Sequence, residues 1–173
     1  REDFDDLYAV ASDPLIWEQH PEPTRCEPAH FERFFRDALD SGGALVVIDR
    51  RTRRIIGSSR FHGYDAEAGE VEIGWTFLAR SHWGGTYNGE MKQLMMRHAF
   101  AFVNAVLFII GPENWRSQRA VEKIGGVRSG TRADGAGRLS YVYRIDAAAF
   151  ASAPDARKQP TEPTGGNGSR AST

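Results

Sequence analysis

Apolar residues recur along the chain with two periods, and each change of period marks a change of element. Residues 3–11 and Pro28–Asp40 place apolar side chains three or four positions apart, which predicts two amphipathic helices. Ala44–Ile48 is a continuous apolar run typical of a buried strand, and residues 55–64 follow it across a basic turn. Strict alternation in Glu70–Leu78 predicts a third strand.

The third strand and the helix after it carry the clearest patterns. Alternation predicts two opposed faces of the strand, with Val71, Ile73, Trp75 and Phe77 on one and Glu72, Gly74, Thr76 and Leu78 on the other. Residues 88–103 then change to helical period. The apolar stripe of this helix is predicted to consist of Met91, Leu94, Met95, His98, Ala99 and Phe102.

The chain continues as strand, helix and two further strands. Ala105–Ile110 is wholly apolar, as in strands that are covered on both faces. Residues 114–124 are predicted to form a helix that Asn114 caps, and the last strands are expected at 127–132 and 139–145. Antiparallel neighbours followed by one strand–helix–strand crossover predict an α/β protein with a mixed sheet of the α+β kind.

Length and composition limit the organisation and the partners. The 173 residues suffice for one ordinary domain, predicted at 1–150. Residues 151–173 are rich in Ala, Pro, Gly, Ser, Thr and charge, which predicts a disordered tail. With a formal net charge of −1, nothing favours nucleic acid or an anionic membrane as a partner. No apolar run is long enough to span a bilayer.

Cysteine and histidine usage narrows the chemistry. Cys26 is the single cysteine, which leaves no disulfide framework and no multi-cysteine metal site. The five histidines lack the His-x-x-x-His spacing of helical metal sites, so we expect no bound metal. A reducing, cytoplasmic setting is the corresponding expectation.

The chemistry is expected where the third strand runs into its helix. Gly84 and Gly85 allow the backbone to take positive φ and to approach a ligand closely. The first N–H groups of the following helix have no carbonyl partners, so they can bind an anion such as a pyrophosphate. A plain turn before a helix explains the same two glycines equally simply. Neither the P-loop pattern nor Gly-x-Gly-x-x-Gly spacing is present.

Two linked sequence blocks give a more specific indication. The first comprises VEIGWTFL at 71–78, HWGG at 82–85 and NGEMK at 88–92, and the second is NWRSQRAVEKIG at 114–125. Together they resemble the central motif and the Asn-x-x-Ser-x-x-Ala/Val-x-Glu-Lys-x-Gly helix of GNAT-superfamily N-acyltransferases. Within that superfamily they look most like the RimJ/RimL-type N-terminal acetyltransferases of ribosomal proteins. The similarity covers about residues 44–145.

The resemblance implies a GNAT fold, in which a mostly antiparallel, splayed sheet is flanked by helices. The family's first strand would precede Arg1 and is missing here, which implies an N-terminally truncated domain. Acyl-CoA, with acetyl-CoA as the expected cosubstrate, would lie between the third strand and the next one. The implied cofactor-binding residues are Phe77, Leu78 and Ala79 for the pantetheine, Trp83, Gly84, Gly85, Thr86, Tyr87 and Asn88 for the pyrophosphate, and Asn114 and Arg119 for the rest of CoA.

Simpler interpretations of two of these residues remain open, and the loop departs from the common family pattern. Asn114 is a good helix N-cap in its own right, and Arg119 is equally consistent with a solvated helix face.

The loop differs from the common family pattern Gln/Arg-x-x-Gly-x-Gly/Ala: Trp83 stands at the Gln/Arg position, and Thr86 and Asn88 stand at the two small positions. A subset of the RimJ/RimL-like branch resembles this variant. The family's frequent tyrosine acid is replaced by Val121.

Acyl transfer to an amine needs a proton acceptor and a partner for the leaving thiolate. Glu72 is the candidate general base, although an ion pair with a neighbouring strand explains it as well. The resemblance implies that Ser117 protonates or hydrogen-bonds the CoA sulfur, and an ordinary helix-start serine is the alternative. Tyr141 and Tyr143 are substitutes for that role.

The function that follows is an acetyl-CoA-dependent N-acetyltransferase that acts by direct transfer on a protein N-terminus or a small-molecule amine. An α-amine, with a pKa of about 7.7–8.0, is far more often neutral at pH 7 than a lysine at about 10.4, which favours weakly basic acceptors. A catalytically silent GNAT-like CoA-binding domain and an antibiotic-amine acetyltransferase are the alternatives. The oligomeric state stays open, a homodimer included.

Overall fold

A computed structural model describes residues 2–153. The helices of this part are α1 (Phe4–Ala11), α2 (Pro28–Asp40), α3 (Tyr87–Ala99), α4 (Trp115–Lys123) and α5 (Ala147–Ser152). Its strands are β1 (Ala44–Ile48), β2 (Ile55–Asp65), β3 (Glu70–Leu78), β4 (Ala105–Ile110), β5 (Val127–Ala133) and β6 (Leu139–Asp146). Short 3₁₀ turns occupy Pro14–Ile16, Pro23–Cys26 and Arg80–His82. The predicted mixed α/β order is confirmed.

The six strands form one mixed sheet in the order β1-β2-β3-β4-β6-β5. Every neighbouring pair is antiparallel except β3 and β4, which the α3 crossover joins in parallel. The parallel pairing covers Glu70 to Glu72 on β3 and Ala105 to Leu107 on β4 and then stops. The two strands therefore separate beyond Glu72, which confirms the predicted splay of the sheet.

Helices cover both faces of the sheet, and each face has its own apolar core. On one face, Met95 and Met96 of α3 and Val121 of α4 join Val106 and Phe108 in a single buried cluster. On the other face, a second cluster forms between α1, α2 and the sheet, and it consists of Leu7, Ala11, Ile16, Trp17, Phe31, Phe34 and Phe77. Burial of each large apolar side chain stabilises the fold by about 1.5–3 kcal/mol. The splay lies between these two cores.

A β-bulge in β3 overturns the predicted alternation of its side chains. The β2–β3 register passes from Ser58↔Phe77 to Arg60↔Gly74, so Trp75 and Thr76 together face one residue of β2. Trp75 has a φ of 50°, a conformation that costs a bulky residue on the order of 1–3 kcal/mol. Beyond the bulge, each side chain therefore lies on the face opposite to the predicted one.

The cores show the consequence of the bulge. Val71 and Ile73 pack in the cluster under α3, as does Leu78, whereas Trp75 and Phe77 pack in the cluster under α1 and α2. The prediction that all the odd-numbered residues share one face was wrong. Strict alternation in the sequence carries no sign of an inserted residue, because the pattern after the bulge is equally regular.

Two further predictions need correction. The buried stripe of α3 is Met91, Lys92, Met95, Met96 and Ala99, whereas Leu94 and Phe102 are 62% and 65% exposed. The helix is thus rotated relative to the predicted stripe, because Lys92 finds hydrogen-bond partners beneath the sheet. At the other end, α5 crosses the predicted boundary at residue 150 and includes Ala151 and Ser152. The remainder of the predicted tail, 154–173, lies outside the described residues.

Candidate active site

A cavity of about 340 Å³ fills the splay between β3 and β4. Its walls include Ile73 to Leu78 of β3 and Phe108 to Ile110 of β4, the segments that lie beyond the paired part of the two strands. The loop before α3, the N-terminus of α4 and the segment after α1 complete the lining. The volume lies within the range of small-molecule sites, about 300–1,000 Å³. The separation of two strands thus forms a binding cleft.

The N-terminus of α3 opens onto this cavity through a loop that contains two glycines. Gly84 has a φ of +74°, which an L-residue rarely adopts, and an added Cβ there would meet nothing within 4 Å. Thr86, at the N-cap position, makes no side-chain capping bond. The first amides of α3 therefore keep the unfilled donor capacity of a helix start. Gly84, Gly85 and Asn88 line the cavity, while Thr86 and Tyr87 do not.

Trp83 fixes the loop to β3. Its indole Nε1 donates a 2.9 Å hydrogen bond to the carbonyl oxygen of Leu78, and the Arg116 guanidinium lies 4.1 Å from the centroid of its ring. Arg116 also donates to the carbonyl oxygen of Ile16 at 2.9 Å. One arginine thereby ties the start of α4 to the loop before α3 and to the turn after α1. Sequence patterns did not single out Arg116 because its partners are distant in the chain.

The start of α4 supplies the polar residues of the opposite wall. Asn114 accepts the Ser117 N–H at 3.1 Å, which is an N-cap bond, so the structural interpretation of Asn114 is correct. Asn114 also lines the cavity, and its side-chain NH₂ is left for a ligand. Ser117 lines the cavity as well. Arg119 is exposed and lies outside the lining, in agreement with a solvated helix face.

Glu72 lies at the vertex of the splay, where β3 and β4 last pair. Its carboxylate lies against Gly74: a Cβ added to Gly74 would be 3.0 Å from the Glu72 Oε1 atom, and Gly74 lines the cavity. Burial raises the pKa of Glu72 to about 7, and Arg132, with Nη1 4.0 Å from Oε2, opposes that rise. The sequence allowed either a base or an ion-pair partner, and the weak contact with Arg132 leaves the carboxylate able to accept a proton near neutral pH.

Lys92 is a cavity residue that the sequence analysis did not select. Its side chain is 6% exposed, and its Nζ donates hydrogen bonds to Ser59 Oγ, at 3.3 Å, and to Thr76 Oγ1. Within residues 2–153 no carboxylate oxygen lies within 4.0 Å of it. Burial lowers the pKa of Lys92 to about 7. The sequence contained one sign of this residue, which is that Lys92 follows Met91 on the buried side of a helix. Its partner Thr76 could not be anticipated, because the β3 bulge places the Thr76 side chain on the face opposite to the predicted one.

His20 contributes a neutral imidazole to the other side of the cleft. It lines the cavity beside Ile16 and Trp17. Its Nδ1 accepts the backbone N–H of Glu22 at 3.0 Å. Burial first, and then the positive charge of Arg25, lower the pKa of His20 to about 4, so the ring is uncharged at pH 7. The sequence offered no signal for this residue, since a lone histidine in a turn has no diagnostic spacing.

The two tyrosines considered as substitute acids lie outside the cavity lining. Tyr143 is 3% exposed, and its hydroxyl donates to Glu122 Oε1 at 3.3 Å. Burial raises the pKa of Tyr143, which makes it a weaker acid. Tyr141 lies under the Arg128 guanidinium, 3.3 Å from its ring centroid. Neither tyrosine is therefore placed to act on a ligand in the cleft, and Ser117 is the better-placed hydroxyl.

The predicted residues divide into two groups by position. Those that line the cavity are Phe77, Leu78, Trp83, Gly84, Gly85, Asn88, Asn114 and Ser117. Those outside the lining are Glu72, Ala79, Thr86, Tyr87 and Arg119. Across residues 2–153, no three His, Cys, Asp or Glu side chains are grouped to hold a metal ion, and no helix is long and apolar enough to cross a bilayer.

Solved structures with the same architecture are known. A GCN5-related N-acetyltransferase from Brucella melitensis is 21% identical, with a TM-score of 0.74 over 86% of this chain and 72% of that one. Spermidine N-acetyltransferase from Vibrio cholerae, in complex with CoA and spermine, is 15% identical, with a TM-score of 0.66 over 87% and 94%. Mycobacterium smegmatis RimJ, in complex with CoA-disulfide, is 17% identical, with a TM-score of 0.63 over 85% and 78%. At these identities the likeness establishes the fold alone.

A family model provides the assignment that these structures do not. No curated protein matches the chain. Residues 1–127, which include β3, the glycine loop and all of α4, match the model described as an acetyltransferase (GNAT) domain. The chain belongs to the GNAT acetyltransferase family.

Proposed function

We propose that this protein transfers an acetyl group from acetyl-CoA directly to a primary amine. One observation carries the proposal: a single cavity extends from the glycine loop at the start of α3 to Gly74, against which the Glu72 carboxylate lies. An anion site and a carboxylate with a pKa of about 7 are thus brought to one cleft. Binding of the CoA pyrophosphate and acceptance of the amine proton are two of the functions that acyl transfer from CoA requires of a protein.

The donor would lie along the open edge of β3. The Ala79 N–H bonds to the carbonyl oxygen of Ile56 on the β2 side, at 2.8 Å. Backbone groups of successive strand residues face opposite sides, so the Leu78 N–H faces the splay and is free to meet a pantetheine amide. The Leu78 carbonyl already accepts from Trp83, which leaves it one lone pair for a ligand. The Trp83 N–H already bonds to the carbonyl oxygen of Arg80 at 3.0 Å, so amides from Gly84 to Asn88 would hold the pyrophosphate.

The reaction then needs one proton to move. The neutral amine attacks the thioester carbonyl, an N–C bond forms, the C–S bond breaks, and the amine nitrogen loses a proton to Glu72, directly or through water. The same proton is returned to the CoA thiolate. A serine hydroxyl is a far weaker acid than a thiol, so Ser117 acts by donating a hydrogen bond to the sulfur rather than by giving up its proton.

The acceptor within this proposal is a protein N-terminal α-amine or a small-molecule amine. The motif resemblance to the RimJ/RimL-type branch supports the first. The structural likeness to a spermidine N-acetyltransferase supports the second. The carboxylate at the vertex supports a weakly basic amine, because one group with a pKa of about 7 cannot readily deprotonate an amine with a pKa above 10.

Calorimetric titration of the full chain with CoA tests donor binding, and intact-mass detection of acetylated products tests transfer to a panel of peptide and small amines. Gly84→Ala should weaken CoA binding several-fold because it places a Cβ at a φ of +74°. Gly137→Ala is the matched control, since Gly137 has a φ of +78°, its added Cβ meets nothing within 4 Å, and the residue lies in the β5–β6 turn. CoA binding without transfer to any amine would establish a silent CoA-binding domain, and the absence of both would refute the proposal.

A further inference from the structure

A second, smaller cavity adjoins the active-site cleft on the α2 side of the sheet. We call it the Arg60 cavity; its volume is about 70 Å³. Its lining includes the charged or aromatic side chains of Arg25, Arg33, Arg60, Glu22, Asp37 and Trp75. Trp75 also lines the 340 Å³ cavity, so one indole separates the two spaces. The bulge places it there, because it turns Trp75 to the α2 face of β3.

Arg60 is the unusual group in this cavity. It is 5% exposed, and its Nη2 donates a long hydrogen bond of 3.4 Å to the carbonyl oxygen of Phe34. Its Nε has no hydrogen-bond partner within the described part of the chain, where it is the single buried side-chain N or O atom of that kind. The guanidinium lies 4.8 Å from the ring centroid of Trp75 and 5.6 Å from that of Phe34. A buried donor that lacks a partner destabilises the fold, and more so when it is charged.

The charges around Arg60 do not neutralise it. Arg25 donates to Glu22 at 2.9 Å, so these two charges are matched. Asp37 is left facing both Arg33 and Arg60, and across residues 2–153 no carboxylate oxygen lies within 4.0 Å of Arg60. Three guanidinium groups and two carboxylates line the cavity. The cavity therefore has an excess of one positive charge, and that charge is buried.

A carboxylate fits both the space and the charge of Arg60. A water molecule takes up about 30 Å³ of liquid, so a 70 Å³ cavity admits a group of a few atoms. The planar guanidinium presents its donors in a geometry that matches a carboxylate, and such charge-assisted bonds are about twice as strong as neutral ones. A bound carboxylate would supply the counter-charge that Arg60 lacks and accept from its terminal Nη groups, since the Nε atom itself is buried.

We propose that the Arg60 cavity binds a carboxylate of the acceptor, and that the acceptor is therefore a small amine that carries a carboxylate. The inference rests on the proposed acetyl transfer, since Trp75 lines both this cavity and the cleft in which the amine would react. A polycation is disfavoured as acceptor, because its second amine would meet the buried positive charge of Arg60.

Matched acceptors test the proposal directly. The wild-type protein is assayed with acetyl-CoA and di-, tri- and tetraglycine, whose α-amines are weakly basic, with the C-terminal amide of each, and with spermidine. Because the amine and the acid are far apart in these compounds, the amine pKa differs little within a pair. We expect kcat/KM for the acid to exceed that for the amide about 10- to 100-fold, through KM. Arg60→Gln and Arg33→Gln should each lower that ratio, the former to about one.

The control is Arg36→Gln, an exposed α2 arginine that pairs with Glu32 at 2.9 Å outside the cavity, and it should retain the ratio. Because Arg60 is buried, Arg60→Gln could unfold the protein, so melting curves establish which variants fold. Arg33 is exposed, so Arg33→Gln should fold and still tests the subsite. Equal rates for acids and amides, a ratio unchanged in the folded variants, or a preference for spermidine would overturn the carboxylate subsite. If no amine is acetylated, the proposed function fails. The subsite is then judged by propionate, which should raise the Tm of the wild type above that in equimolar chloride and lose this effect in Arg33→Gln.

Discussion

The indole Nε1 of Trp83 donates a 2.9 Å hydrogen bond to the carbonyl oxygen of Leu78, so the residue that begins the glycine loop is fastened to the strand that borders the cleft. Trp83 also packs against both apolar clusters. The variant loop thus holds a tryptophan where the common family pattern has Gln or Arg, and this tryptophan anchors the anion site to β3. The anchor holds the start of α3 at a fixed distance from the splay.

Trp83→Phe tests this anchor. The change keeps an aromatic ring for packing and for Arg116, and it removes only the indole donor. One hydrogen bond contributes about 0.5–1.5 kcal/mol, so CoA should bind roughly 3- to 10-fold more weakly as the loop loses its fixed position. Calorimetric titration with CoA measures the change. Trp115→Phe, an exposed tryptophan at the start of α4, is the control, and equal affinities for the two variants would contradict the role of the anchor.

Lys92 should make the stability of the protein depend on pH. Burial lowers its pKa from 10.5 to about 7, so between these values the unfolded chain binds a proton that the native state does not. Stability therefore rises with pH through this window, on the order of 1.4 kcal/mol per unit from this group, and the full penalty applies below pH 7.

Lys92→Met should raise the stability at pH 6–7 and flatten the rise above pH 7. In the wild type the Ser59 and Thr76 hydroxyls also bond to each other, at 2.8 Å, so removal of the Lys92 amine leaves neither hydroxyl without a partner. Urea unfolding at pH 6, 7.5 and 9 measures both effects. Lys123→Met makes the same chemical change at an exposed position of α4. A similar pH dependence in wild type and Lys92→Met would show that the lysine is not the cause.

Periodicity predicted the elements because each depends on local pattern, whereas the splay was implied by the family resemblance. Periodicity failed at Trp75, where one inserted residue exchanges the faces of the strand without disturbing the alternation. The same failure hid Thr76 and Lys92, which meet only after the exchange. The contacts that depend on the register between β2 and β3 therefore could not be predicted from the pattern of β3 alone.

The candidate site was predicted where a local motif and a helix start coincide, at Gly84, Asn114 and Ser117. Arg116 and Arg60 were missed, since each acts through partners far away in sequence. Arg119 is exposed and outside the cavity lining, so its contact with a CoA phosphate stays a prediction.

Ser117→Ala should lower kcat and leave CoA affinity nearly unchanged. The hydroxyl would act on the developing thiolate, a charge that the bound donor lacks, so its loss affects the transition state and not the ground state. We expect kcat to fall about 10-fold or more, within the effect of one charge-assisted hydrogen bond. Steady-state kinetics and CoA titration separate the two quantities. Ser129→Ala, on the exposed strand β5, is the control, and a parallel loss of affinity would indicate a structural role at the helix start.

Asn114→Ala should act differently, through the stability of α4. The side chain accepts the Ser117 N–H at 3.1 Å, and loss of such an N-cap costs about 0.5–2 kcal/mol. Asn114→Asp retains an acceptor at the same place, so it should restore most of the lost stability. Thermal unfolding of the three proteins measures the difference. Equal Tm values for the alanine and aspartate variants would mean that the capping bond contributes little.

Glu72→Gln should lower kcat/KM about 10²- to 10⁴-fold if Glu72 accepts the proton of the amine. Burial raises the pKa of this group to about 7, so in the wild type kcat/KM should increase with pH through about 7 as the carboxylate ionises. The variant should lack that limb and retain any limb due to the amine. Glu67→Gln, at an exposed position of the β2–β3 turn, is the control.

Arg132→Gln distinguishes a base from an ion-pair partner. The Arg132 charge opposes the rise in the pKa of Glu72, so its removal should move the lower limb of the pH profile to higher pH while the activity at high pH is retained. A purely structural ion pair, with atoms 4.0 Å apart, would instead make the two single variants equally harmful at every pH. Profiles of kcat/KM from pH 5.5 to 9 for wild type, Arg132→Gln and Glu72→Gln separate these outcomes. An unshifted limb in Arg132→Gln would assign the pH dependence to a group other than Glu72.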